Sequence, residues 1–173
     1  MNRIDSGGYP YVWYIRPLLF LLRRKTGSLS TAVRLWGRLP GGFLGFLWML
    51  RCLDHGRTPL PATLRALLRT RVSQIDLCAF CIDLNGSKAL ALGVSTEKLS
   101  ALADWAHSPL YDAAERAALA FAEAITHTGG RIEAELLAGL RQHYDDDTIV
   151  ELAALVAHQN LSTKFNRALG VSD

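Results

Sequence analysis

Two thiols three residues apart, in Cys78-Ala79-Phe80-Cys81, are the side chains of this 173-residue sequence best equipped for chemistry. A lone C-x-x-C pair is either a redox couple or half of a metal site. A four-coordinate zinc site needs two further ligands, ordinarily a second close pair. Cys52, His55, His107, His127, His143 and His158 are available, and Cys52-Leu53-Asp54-His55 is their one close grouping. Nothing in that grouping has the form of a metal knuckle, so the pair reads as redox-active, with no metal and no cofactor expected. Residues i and i+3 share a helix face, so both sulfurs reach bonding distance where a helix begins. Asp76 is the expected cap of that helix, and the exposed N–H groups of its first turn favour a thiolate, on Cys78 more than on Cys81. The plainer reading is two buried cysteines acting as small hydrophobes beside Phe80 and Ile82.

A working thiol needs a base or a positive charge nearby. The residue one turn beyond Cys81 is Asn85, which donates a hydrogen bond but takes no proton at neutral pH. Asp83 lies about 200° round the helix from Cys81 and is poorly placed. Arg71, on the preceding helix, is the candidate thiolate stabiliser if the two helices fold back on each other.

The elements that hold this pair are predicted to be helices throughout. Ala, Leu, Arg and Glu dominate, and the Val/Ile/Thr alternation of strands is missing. Thr58-Pro59-Leu60-Pro61 opens a helix over 62–75, with proline near the first turn, where its missing N–H costs little. Gly93 closes the next helix and Ser95 caps one over 96–105. Asp112 and Glu115 have capping-box spacing ahead of Leu119, Ala122 and Ile125, a helix ended by Gly129-Gly130. A helix over 132–143 follows. Asp145, Asp146 and Asp147 suit the positive end of a macrodipole and read as a helix start, not a metal site. Residues 1–50 are less regular. Their aromatic cluster of Tyr9, Tyr11, Trp13 and Tyr14 is expected to anchor a terminal arm, and Gly37, Pro40, Gly41, Gly42 and Gly45 interrupt the apolar residues that follow. The chain is therefore one structural domain, with residues 1–50 an extension packed on a core of 51–173.

Composition narrows the setting. Hydrophobic residues make up 50% and charged residues 20%, which excludes bulk disorder, and a mean hydropathy of +0.13 points to a subunit interface. The apolar run from Tyr9 to Leu22 is cut by Arg16 and Pro17 and is too short to cross a bilayer. Its basic residues follow the run instead of preceding it, unlike a secretion signal. A cytoplasmic protein is expected, with no membrane partner. Residues 1–75 hold 12 Lys/Arg against 2 Asp/Glu, whereas residues 76–173 hold 7 against 14. No nucleic-acid motif accompanies the basic half, so basic helices packing on acidic ones is the expectation, with no nucleic acid bound.

The stretch from Leu64 through Arg71 and Asp76 to Cys78, Cys81 and Asp83 resembles the core segment of a known family. That family is the alkylhydroperoxidase D-like branch of the carboxymuconolactone decarboxylase superfamily. Ala91-Leu92-Gly93-Val94, Asp104-Trp105, Asp112 to Glu123, Asn160 and Asn166 to Gly170 extend the resemblance over about residues 30–170. It implies an all-α fold, assembly as a homo-oligomer (trimer or hexamer), and reduction of hydroperoxides. It also implies Cys81 as the peroxidatic thiol and Cys78 as the resolving one. A dithiol reductant or adaptor protein would then regenerate the pair, with Cys78 the exposed thiol that exchanges with it. The family's peroxidases carry a proton-relay His where this chain has Asn85 and a Glu where it has Ala66, help worth roughly 10²–10⁴-fold in rate. His55, His107 or His158 is left to fill that gap in space. A fold-retaining, redox-responsive protein without turnover is the alternative. A lactone decarboxylase is a further one, against which the cysteine pair counts.

Overall fold

The computed structural model describes residues 4, 8–127, 129 and 131–172, and among these the regular structure is all helical. The order is α1 (Arg16–Thr26), α2 (Thr31–Trp36), α3 (Pro40–Leu53), α4 (Ala62–Ile75), α5 (Ala79–Ala91) and α6 (Thr96–Ser100). A 3-10 turn (Ala101–Asp104) precedes α7 (Ala113–Thr126), α8 (Ala134–Leu140) and α9 (Asp146–Ala168). No described helix is long and apolar enough to cross a membrane.

The centre of the fold is α4, which packs on α5, α7 and α9 at once. Leu64, Leu67, Leu68 and Val72 bury one side of it against Leu119 and Ala122 of α7 and Leu152, Leu155 and Val156 of α9. Each fully buried aliphatic side chain contributes roughly 1.5–3 kcal/mol. This helix is hidden nearly all round, so its polar residues are also inside. Arg65, Arg69 and Ser73, at i, i+4 and i+8, form a buried polar stripe.

The cores of these helices begin where the capping signals say. Asp112 and Glu115 form a complete capping box. Ser95 accepts from the Lys98 N–H, and Asp145 accepts from Thr148 as the N-cap of α9. Gly93 adopts φ +95°, the left-handed turn that glycine takes without Cβ strain. Helix ends shift elsewhere. The expected 96–105 helix tightens into the 3-10 turn after Ser100, and the 132–143 helix shrinks to Ala134–Leu140. α7 stops at Thr126, ahead of the Gly-Gly pair, of which Gly130 lies outside the described residues.

The extension is more regular than its glycines suggest. Gly41, Gly42 and Gly45 lie inside α3, which Pro40 starts at its first position. Apolar contacts outweigh the propensity cost, and the boundary expected at residue 50 falls within this helix. Trp36 stacks on Phe165 of α9 at 4.0 Å, on Phe46 at 4.8 Å and on Phe43 at 6.3 Å. Of the N-terminal aromatics, Tyr11 reaches inward and donates its hydroxyl to the Arg34 carbonyl. Trp13 does not pack on the core of its own chain, since 79% of its surface is exposed. The charge asymmetry is used at one joint, where Arg71 of α4 pairs with Glu123 of α7 at 2.6 Å.

Candidate active site

Cys78 and Cys81 sit at the joint between α4 and α5. Asp76 ends α4 as its C-cap and does not cap α5. Leu77 turns the chain through a left-handed φ of +54°, and Cys78 itself becomes the N-cap. The backbone N–H of Cys81 donates to Cys78 Sγ at 3.4 Å, so the start of the helix favours negative charge on Cys78. The cap is therefore Cys78, a member of the cysteine pair, a correction to the expected role of Asp76. That carboxylate serves the fold instead. It accepts from Thr163 Oγ1 of α9, while Arg167 donates to the Asp76 carbonyl at 3.2 Å.

The two sulfurs are joined as a disulfide, with their Cα atoms 5.2 Å apart. Each cysteine is 2% exposed, so Cys78 is not the open thiol expected to meet a reductant. Cys81 instead lines an apolar cavity of about 330 Å³. Trp36, Phe43 and Phe46 of the extension form one wall, and residues of α4, α5 and α9 form the other. A larger groove of about 630 Å³ lies elsewhere, around Pro59, Asp112, Glu115 and Asp145. It contains no cysteine, and its acidic residues include the caps of α7 and α9.

Three polar stripes meet along the core side of the cavity. Cys81, Asn85 and Lys88 come from α5, Arg69 from α4, and His158, Gln159 and Asn166 from α9, with Ser73 of α4 behind them. Ser73 Oγ is the hub. It donates to the Arg69 carbonyl at 2.7 Å and accepts from Asn85 Nδ2 and Gln159 Nε2, both at 3.2 Å. Asn85, in the place of the family histidine, therefore has its amide committed to Ser73. Asn166 Nδ2 donates to Cys81 Sγ at 3.4 Å and is a polar neighbour of that sulfur that the chain's spacing did not single out.

Arg71 points away from this cavity. Its guanidinium bonds Glu123 and Gln74, and Trp105 Nε1 shares the same Glu123 carboxylate. The arginine that lines the cavity is Arg69, about 200° round α4 from Arg71. Its Nη1 is 2.7 Å from Asp54 Oδ1, Lys88 Nζ is 2.9 Å from Oδ2, and Arg65 Nε stands 3.5 Å from Oδ1. Burial pushes the Asp54 carboxyl up, but the bonds and charges of Lys88 and Arg69 outweigh it and hold the group below its ordinary value.

Of the three histidines, His55 turns its ring onto the Arg57 N–H, and His107 pairs with Asp104 on the surface. His158 is the one at the cavity, 3% exposed and stacked on Phe46 at 4.1 Å. Its Nε2–H donates to the Phe46 carbonyl at 3.0 Å, leaving Nδ1 as an acceptor without a partner. Desolvation pushes its pKa below the ordinary value, so the ring is neutral near pH 7. It does not replace the missing base at Cys81. Asn166 touches Cys81, and His158 lies eight residues back along α9, roughly 12 Å at 1.5 Å per residue. The i, i+4, i+8 polar spacing of Arg65, Arg69 and Ser73 within an apolar helix was the signal that could have exposed Arg69. Among the described residues, no group of three or more His, Cys, Asp or Glu is placed to hold a metal.

The site is a disulfide-bonded C-x-x-C at the start of a helix, inside an all-α core. The chain belongs to the carboxymuconolactone decarboxylase family, whose model matches residues 43–124, and its structural neighbours are alkylhydroperoxidase D-like. It is 38% identical to the uncharacterized protein YnjA of Escherichia coli (strain K12) over 91% of this chain and 86% of that one. An uncharacterized peroxidase-related protein from Silicibacter sp. TM1040 superimposes with a TM-score of 0.83 at 22% identity, covering 98% of this chain and 90% of that one. The alkylhydroperoxidase AhpD core protein from Ralstonia eutropha JMP134 does so with a TM-score of 0.80 at 18% identity, covering 99% and 90%.

Proposed function

We propose that this protein is a thiol oxidoreductase that reduces organic hydroperoxides, with Cys81 peroxidatic and Cys78 resolving. The observation that carries the reading is the position of Cys81, buried from bulk water yet forming part of an apolar cavity, with Cys78 bonded to it. In the cycle, the Cys81 thiolate attacks the terminal oxygen of the hydroperoxide and the O–O bond breaks. The alcohol leaves after taking a proton, and Cys81 becomes a sulfenic acid. The Cys78 thiolate then attacks the Cys81 sulfur, water departs, and the disulfide forms. Two electrons and two protons from a dithiol reductant or adaptor protein restore the pair. Asn166 supports the Cys81 sulfur through its N–H, and the start of α5 supports Cys78.

The protein works in the cytoplasm as a homo-oligomeric antioxidant enzyme, a trimer or hexamer. Exposed Trp48, Phe20 and Leu84 supply apolar surface for such an assembly. A second reading, redox response without turnover, draws on Ala66 being buried among apolar residues and on Asn85 being held by Ser73.

The test is alkylation and mass spectrometry of the reduced protein before and after one equivalent of cumene hydroperoxide. A rapid Cys78–Cys81 disulfide, abolished by Cys81→Ser and replaced by a sulfenic acid in Cys78→Ser, is expected. Thiols that stay reduced, or full turnover by both variants, would remove the peroxidase reading.

A further inference from the structure

The cavity has chemically different ends. At one, Cys81 lies beside Asn166, whose Nδ2 is on the sulfur and whose Oδ1 is buried with no donor. At the other, Arg69 and Lys88 line the same cavity. Cys81 and Lys88 are seven residues apart on α5, roughly 10 Å at 1.5 Å per residue. Between the ends one wall is Trp36, Phe43 and Phe46, and on the facing wall the side-chain N–H groups of Asn85 and Gln159 are taken up by Ser73.

The cationic end is incompletely neutralised. Arg65, Arg69 and Lys88 gather on the single carboxylate of Asp54. The Arg69 side chain is 3% exposed, and its Nε and Nη2 donors have no acceptor. Buried guanidinium donors without partners are costly, and a carboxylate is the group whose two oxygens match their fork. Neutral His158 adds no charge there.

We infer that the cavity binds an apolar molecule with a carboxylate at one end, held by Arg69 with Lys88 beside it. The opposite end of the ligand reaches Cys81. Resting on the hydroperoxidase reading, this makes the substrate a carboxylic acid whose hydroperoxy group lies roughly 10 Å from its carboxylate, matching the spacing along α5. The hydroperoxide O–H donates a hydrogen bond to Asn166 Oδ1 as the terminal oxygen meets Cys81.

Binding is tested on the oxidised, disulfide form, which can do no thiol chemistry, by calorimetry and tryptophan fluorescence. Octanoate is compared with octanamide and 1-octanol. The expected result is saturable binding of octanoate at least tenfold tighter than either neutral analogue. Lys88→Met, at a half-exposed position, should weaken octanoate severalfold and leave octanol unchanged, and Arg69→Met should abolish the preference. Equal affinities, or no saturable binding because another copy of the chain fills the cavity, would overturn the inference. With the reduced protein, a carboxylate-bearing alkyl hydroperoxide should then show a lower KM than cumene hydroperoxide. Octanoate binding without turnover of either peroxide would remove the hydroperoxidase reading and leave the carboxylate site standing.

Discussion

The seam where α4, α5 and α9 meet and the extension α1–α3 are held by different physics. In the seam, Ser73 takes up the amides of Asn85 and Gln159, Thr163 donates to the Gln159 carbonyl and Asn166 donates to Cys81, directional bonds that orient each side chain. The extension leans on α9 through stacked rings, Trp36 on Phe165 and Phe46 on His158, contacts strong in area but loose in direction. The cysteine pair belongs to the rigid part, and the opposite wall of its cavity belongs to the adaptable one. Reactive groups are thus placed by hydrogen bonds, while the space offered to a ligand is shaped by packing.

The largest effect that sharpens this contrast is expected from Trp36→Ala. Removing a buried tryptophan costs about 3–5 kcal/mol. Hydrogen exchange should show α1–α3 opening while amides of α4 and α9 stay protected. Equal loss in both regions would mean that extension and seam unfold as one unit, which breaks the comparison.

Next in size is Asn85→His, which puts a proton acceptor one turn beyond Cys81. Stopped-flow oxidation by hydroperoxide should quicken by roughly 10²-fold, the low end for a positioned general base. An unchanged rate would place the limiting proton transfer away from the seam.

The smallest effect concerns His158, the point where the two regions touch. Its folded pKa is depressed, chiefly by desolvation, so between that value and about 6.5 the unfolded chain binds more protons than the native one. The stability it allows is complete above the unfolded value and is lost as pH falls towards the folded one, by no more than about 1.4 kcal/mol per pH unit. Thermal melts from pH 7.5 to 5 should show this slope, and His158→Gln, which keeps a donor for Phe46, should flatten it. An identical slope in the variant would place the titration elsewhere.

Local signals carried the core well. The prolines before Ala62, the Asp112–Glu115 box, Ser95, Gly93 and the aspartates at the start of α9 act within a few residues of themselves, so they can be read in one dimension. The extension was harder, because Gly41, Gly42 and Gly45 disfavour a helix locally and only tertiary contacts with α2 and α9 offset that. At the site, the cysteine pair was legible and its neighbours were not. Arg71 and Arg69 are equally basic, and which one meets the cavity depends on how α4 is rotated in the core. The resemblance implies an exposed Cys78 that exchanges with a reductant, whereas packing buries it at 2%.

The sequence by itself determined an all-helical chain of this family with one dithiol, because helix propensity, caps and a C-x-x-C spacing are local properties of the chain. Tertiary structure alone decided that Cys81 and not Cys78 lines the apolar cavity between the extension and the core. It also decided that Asn85 is bound to Ser73, and that Arg69, Lys88 and His158 gather at the far end. Those facts depend on which faces of three helices are turned together, and that rotation is settled by burial summed over the whole core.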